Sequence, residues 1–276
     1  MDGLRKWLFP VIFGVIMTGC GLWILADSMR LRASHKVIVA PMPLLAQLSA
    51  ERAVRLKELR AASVYVYPDI PQTRLYLEPT TPDAFRDGTR FGSGVIISPE
   101  GDMLTAAHVI EGTCLTKDQT LTDDVYCAIV NIGHTRVYRA KLVKYDQETD
   151  IAHLKILKTQ HDEVFAAVPL SRAQDDDVLE GREVLINGIP FGTANMAVMG
   201  MISNAEDRDE VCKGGIRVSI PVASGNSGGA VFDVGFGAVV GVVVTVQALG
   251  SKDGRNTAFL TITCAVSPQQ IRSFLN

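Results

Sequence analysis

Gly225-Asn226-Ser227-Gly228-Gly229, running directly into the apolar Ala230-Val231-Phe232, decides how this chain is read. A serine sits between glycines, so the backbone can turn steeply on both sides of it before a strand begins. A hydroxyl is a poor nucleophile near neutral pH. It needs an adjacent base, and the base needs a carboxylate to fix its tautomer and balance its charge. Both lie upstream: His108 follows Leu104-Thr105-Ala106-Ala107, and Asp150 opens Asp150-Ile151-Ala152-His153-Leu154. Singly, each has a plainer explanation, as a glycine turn, a strand-end histidine and a strand-initiating aspartate. Together, each at the edge of a strand-like or turn-like segment, Ser227, His108 and Asp150 are candidates for nucleophile, base and orienting carboxylate. The backbone N–H groups of Gly225 and Ser227 are the candidate oxyanion hole.

The order His, Asp, Ser is that of the chymotrypsin arrangement and differs from the α/β-hydrolase and subtilisin orders. From about Ala61 to the C-terminus the chain resembles a trypsin-fold serine peptidase, most of all the HtrA (Deg) family. The resemblance rests on Ala62-Ser63-Val64-Tyr65-Val66, Gly92-Ser93-Gly94-Val95-Ile96-Ile97, Asn187-Gly188-Ile189-Pro190-Phe191-Gly192 and Gly200-Met201-Ile202-Ser203. It continues through Gly241-Val242-Val243-Val244 and Ser267-Pro268-Gln269-Gln270-Ile271. Three departures stand out. Ala223-Ser224 replace the usual Asn-Pro, Ala106-Ala107 replace the asparagines common before the histidine, and no PDZ domain is expected after the peptidase. The resemblance implies an all-β fold of two six-stranded Greek-key β-barrels, with His108 and Asp150 on the first and Ser227 on the second. By the same layout Val222 and Val246 line the pocket for the residue N-terminal to the cut. Neither Pro221 nor Val222 is acidic, so cleavage after small or medium aliphatic residues is expected rather than after Arg or Lys. The implied substrates are proteins or peptides, and the alternatives are a binding or chaperone-like module retaining the fold, or a dedicated processing peptidase without a quality-control role.

Periodicity supports the fold class independently, to the level of a sandwich or barrel. Short strands with turn residues between them are predicted at Val64–Tyr67, Val95–Ile97, Val125–Val130, Val137–Val143 and Ile151–Ile156. A second set covers Glu183–Ile186, Ala197–Ile202, Ile216–Ile220, Ala230–Phe232, Val239–Val246 and Ala258–Val266, and a short helix closes the chain over Ile271–Leu275. With 47% hydrophobic residues the chain has material for a large core, and a net charge of −3 gives no polybasic footprint, so nucleic acid is not an expected partner.

The N-terminus is organised differently. Residues 1–6 form a flank, and Trp7 to Ala26 carries no charge, between Arg5-Lys6 and Asp27. A helix of ~20 residues spans roughly 30 Å, the thickness of a bilayer core, so 7–26 is expected to be a transmembrane signal anchor. Met17-Thr18-Gly19-Cys20 offers a lipoprotein-type alternative, and simple cleavage is a third. Residues 27–60 read as a stalk followed by a helix from Leu44 to Arg60, on which Leu45, Leu48, Leu56 and Leu59 can share a face. That helix is expected to be a solvated linker; the alternatives are a contact within a homotrimer, as the N-terminal segment serves in the HtrA family, or a basic surface lying on lipid. Residues 61–276 are the peptidase domain, expected to lie outside the cytoplasm (in the periplasm of a bacterium).

Cysteine pairing is left open by the sequence. Cys114 and Cys127 flank the polar excursion Lys117 to Asp124, where a hairpin-like bridge is one reading, and Cys212 with Cys264, beside predicted strands, is a second candidate pair; the alternative is that all four are free buried thiols. No cofactor and no metal site is expected: Asp175-Asp176-Asp177 reads as a solvated turn, and His134, His153 and His161 lack zinc-like spacing. Met196, Met199 and Met201 are expected to be barrel packing.

Overall fold

The computed structural model describes residues 42–68, 91–111, 126–132, 136–172, 179–190, 196–205, 212–249 and 260–276. The expected anchor at 7–26, Cys20, Cys114 and the triple aspartate lie outside these residues. No described helix is long and apolar enough to cross a membrane. The chain divides into two compact units, Met1–Ser49 and Ala50–Asn276. Of the first, only the opening of helix α1 (Met42–Ala62) is described.

In the second unit α1 is exposed along most of its length, until its last turns. There Leu59 and Ala62 are fully buried, and the Ser63 hydroxyl donates to the Leu59 carbonyl at 2.8 Å, tying the helix end to the first strand. Arg52 reaches Glu183 at 2.9 Å.

Twelve strands follow. The first six are β1 (Ser63–Pro68), β2 (Gly92–Ile96), β3 (Asp102–Ala106), β4 (Tyr126–Ile132), β5 (Arg136–Asp146) and β6 (Ile151–Ile156). They close in the ring order β1-β2-β3-β6-β5-β4. The other six are β7 (Glu183–Gly188), β8 (Met196–Asn204), β9 (Ile216–Val218), β10 (Ala230–Asp233), β11 (Ala238–Leu249) and β12 (Leu260–Val266). They close as β10-β11-β12-β9-β8-β7. In each ring the fourth strand returns beside the first, giving the spatial order 4-1-2-3 that defines a Greek key.

Alternation along the central strands explains how the barrels share residues. On β7, Val184 and Ile186 belong to the core of the second barrel, whereas Leu185 between them joins the other large apolar cluster. On β10, Val231 faces the former and Ala230 and Phe232 the latter. A strand with a period of two and apolar cover on both faces is buried throughout, as β2 and β10 are. That is also why β3 escapes a periodicity search: Met103, Leu104, Thr105 and Ala106 are all buried, so no polar residue marks an outer face.

The chain closes on α2 (Pro268–Leu275), whose start is a capping box. Gln270 N donates to Ser267 Oγ at 3.2 Å, and Ser267 N donates to Gln270 Oε1 at 2.9 Å. Ile271 and Phe274 are its buried residues along with Pro268. Cys212 and Cys264 form a disulfide, so the alternative of four free thiols does not hold. The methionines of β8 also depart from expectation. Met196, Met199 and Met201 are 47%, 48% and 46% exposed; Met199 and Met201 lie on the outward-facing alternate positions of β8, and Met196 lies at its first residue.

Candidate active site

Strand β3 ends at Ala106 and passes into a single 3-10 turn, Ala107–Val109, that carries His108. Asp150 stands at the end of the β5–β6 turn, and the pairing of Ala106 with Ile151 sets the two segments side by side. Three hydrogen bonds then fix one to the other. Ala107 N donates to the Asp150 carbonyl at 3.0 Å, His108 N donates to Asp150 Oδ1 at 2.9 Å, and His108 Nδ1 lies 2.7 Å from Asp150 Oδ2. A carboxylate only accepts, so this contact places the imidazole proton on Nδ1 and leaves Nε2 of the neutral ring as the acceptor. Asp150 reaches this position with φ of 59°, in the left-handed region that aspartate tolerates better than most residues. The His108 side chain is 43% exposed, so the ring is open to a substrate while its far edge is held.

Ser227 lies on the turn that leads into β10. Gly225 has φ of +100°, and a Cβ there would stand 2.1 Å from the Ile189 carbonyl; at Gly228, with φ of +84°, it would stand 2.1 Å from the Ser93 carbonyl. Only glycine allows this turn to lie so flat against β2 and the segment after β7. A point between the barrels measures how close the two halves of the site come. The Cβ direction of Gly92 meets the Val109 side chain at 2.5 Å and the Ser227 carbonyl at 2.8 Å.

The donors of the turn divide sharply. Asn226 N donates to Ala223 O at 3.1 Å, Gly228 N to Val243 O at 2.6 Å and Gly229 N to Asn226 O at 2.9 Å. Among the described residues nothing accepts from the N–H of Gly225 or of Ser227. The same holds for the nucleophile: no hydrogen bond joins Ser227 Oγ to His108 among the described residues. The structure thus joins His108 to Asp150 directly and brings the Ser227 turn to their barrel without closing a serine–histidine hydrogen bond.

Of the expected pocket residues, Val222 is partly buried against the core of the second barrel. Val246 lies in β11 opposite Thr263, and its side chain is outside what is described. A cavity of about 260 Å³ opens behind Asp150, lined by Thr149, Lys213, Gln270 and the Cys212–Cys264 disulfide. Ser93 was not expected in the site at all. It is 1% exposed, donates its backbone N–H to Ser227 O at 2.7 Å and its hydroxyl to Gly225 O at 2.7 Å. In sequence it is one small residue in a Gly-Ser-Gly stretch, and no spacing rule distinguishes it from a turn residue.

Two Greek-key barrels with a histidine–carboxylate pair on one and a glycine-bracketed serine turn on the other define a trypsin-fold peptidase architecture. The chain belongs to the trypsin-like peptidase domain family, which it matches over residues 92–242. It is 30% identical over 202 residues to a probable periplasmic serine endoprotease DegP-like of Pseudomonas savastanoi pv. phaseolicola, an alignment covering 66% of this chain and 38% of that protein. It is also 30% identical over 200 residues to the magnetosome formation protease MamE of Paramagnetospirillum magneticum, covering 70% of this chain and 24% of MamE. The chain therefore spans well under half the length of these two curated relatives. Among solved structures, it resembles the HtrA-type protease AlgW with a tripeptide, at a TM-score of 0.56 and 25% identity, covering 81% of this chain and 62% of that one. A serine endoprotease from Yersinia pestis shares the fold at a TM-score of 0.55 and 22% identity, with coverages of 81% and 65%.

Proposed function

We propose that this chain is a serine endopeptidase in which Ser227, His108 and Asp150 act as a triad. Ser227 Oγ attacks the scissile carbonyl while His108 Nε2 takes its proton. The tetrahedral intermediate collapses to an acyl-enzyme as His108 returns that proton to the leaving amine, and water then repeats the sequence to release the acid. Asp150 holds the ring in the required tautomer and balances the imidazolium.

The observation that carries this reading is the pattern of donors in the serine turn. Among the described residues two N–H groups, of Gly225 and Ser227, are left unclaimed on either side of an Asn226 N–H that is already used. Donors held open toward a developing oxyanion are what acyl transfer requires, and removing one typically costs about 3 kcal/mol of barrier. The missing serine–histidine hydrogen bond is compatible with this role, since such bonds are often long in a free enzyme and tighten around substrate.

The finer reading follows the relatives and the sequence. Residues 61–276 form the peptidase domain, residues 7–26 tether it to a membrane, and the domain faces the extracytoplasmic side, as the word periplasmic in the relative's name suggests. Substrates are proteins or peptides cut after small or medium aliphatic residues, with Val222 and Val246 lining the pocket. A homotrimer, as in the HtrA family, is the assembly this reading favours.

A fluorophosphonate probe tests the core of the proposal. The expected result is a stoichiometric adduct on Ser227, located by peptide mass spectrometry and abolished in Ser227→Ala. Folded protein that stays unlabelled would leave a binding module with a protease fold as the surviving reading.

A further inference from the structure

We propose that the hydroxyl of Ser93 is a positioning group for the oxyanion donor at Gly225, an inference that rests on the hydrolase assignment. Ser93 lies in β2 of the first barrel, whereas Gly225 belongs to the serine turn of the second. Three polar groups of Ser93 reach different parts of the site. Its N–H donates to Ser227 O at 2.7 Å, its hydroxyl donates to Gly225 O at 2.7 Å, and the same oxygen accepts from Ile189 N at 3.2 Å. Its own carbonyl accepts from Thr105 Oγ1 at 2.7 Å, so β3, three residues before His108, steadies it from behind.

The direction of the hydroxyl proton follows from these partners. A serine hydroxyl has one proton, and an N–H can only donate. Ile189 N therefore occupies a lone pair, and the proton points at the Gly225 carbonyl. At 1% exposure, water has no room to replace it.

Gly225 needs such a restraint. Its φ of +100° is accessible to glycine, but glycine is almost as free at negative φ, so no side-chain clash holds it there. Its N–H has no acceptor among the described residues, and a buried unpaired donor favours any rotation that finds a partner. The carbonyl on the other side of the same residue is anchored by Ser93. That anchor fixes the Gly225–Asn226 peptide plane, so the backbone cannot swing through Gly225 as a whole, and this restricts the N–H to the direction in which the oxyanion forms.

The test uses the full-length chain as wild type, Ser93→Ala and Ser93→Cys, each checked for an unchanged melting transition above the assay temperature. Kinetics on aliphatic peptide substrates separate kcat from KM, and the fluorophosphonate labelling rate reports the same step without a substrate pocket. Removing an oxyanion donor typically lowers kcat by about 10²–10³, so misaiming one is expected to cost ~10- to 100-fold in kcat and in labelling rate. KM should stay within about twofold, since the donor acts on the transition state rather than on bound substrate. Ser93→Cys, nearly isosteric with a weak donor, should fall between the other two, and it carries the test if Ser93→Ala fails to fold. Wild-type labelling with both variants at the wild-type rate would overturn the positioning role, as would a raised KM with kcat unchanged. A wild type that never labels would instead overturn the hydrolase assignment, so the two failures are distinct.

Discussion

At the scale of single residues, Asp150 shows how much one side chain is asked to do. It accepts from the backbone and the ring of His108, while its own carbonyl accepts from Ala107, all from a left-handed conformation. Asp150→Asn keeps the shape but presents an amide in place of an acceptor-only carboxylate, so the wrong imidazole nitrogen is protonated. The expected result is a fall in kcat of about 10⁴ with the fold retained, read by single-turnover kinetics beside circular dichroism. Its candidacy came from its type and its order relative to His108 and Ser227, and the structure sets its carboxylate against the His108 ring. Ser93 was not legible: a serine hydroxyl that donates to a carbonyl across a barrel interface has no local signature.

Between elements, β3 and β6 are joined on their outer face by a polar cluster around Asp102. Ser98 Oγ donates to Asp102 Oδ2 at 2.6 Å, Lys155 Nζ approaches the same oxygen at 2.8 Å, and His153 Nε2 lies 3.1 Å from Oδ1. Burial acts to raise the carboxyl pKa, but the hydrogen bonds from Lys155, Ser98 and His153, with the Lys155 charge, outweigh it and hold it at about 2. The sign follows directly. A carboxyl whose folded pKa lies below its ordinary value of 3.8 contributes stability above that value, and loses it as pH falls toward about 2. Asp102→Asn should therefore flatten the dependence of stability on pH between about 4 and 2, measured as urea midpoints across that window. A variant with the wild-type slope would show that the cluster contributes nothing to acid stability. His153 belongs to this cluster, which explains a histidine that the sequence left without a role.

Across the whole second unit, the Cys212–Cys264 disulfide links residues 52 apart. It fastens the segment before β9 to β12, and the segment is tied further by Gln270 Nε2 to Lys213 O at 2.9 Å and by Lys213 Nζ to Glu148 O at 3.2 Å. Closing a loop of that length removes unfolded-state entropy worth about 4 kcal/mol in the chain-entropy model. Replacing both cysteines by serine, or measuring under a reductant, is expected to lower the melting temperature by roughly 10 °C for a domain of this size. An unchanged melting temperature would mean that the rest of the barrel already holds the segment. The same bond lines the cavity behind Asp150, so calorimetry and kcat measured together would tell whether stability and activity fall in step.

Read alone, the sequence supplied the candidate chemistry and most of the strands, to the level of a sandwich or barrel. Candidates for nucleophile, base and carboxylate stand out by residue type and order, and β6 was legible from Ile151 to Ile156 because one of its faces is partly exposed and alternation survives. Tertiary structure decided what alternation cannot encode. It identified β3 as a strand although both its faces are buried, and paired Cys212 with Cys264. It also placed Ser93 of one barrel under Gly225 of the other. The physical reason is common to all three: each depends on what lies across the strands of a barrel or in its neighbour, and contacts made over such a span leave no periodic trace along the chain.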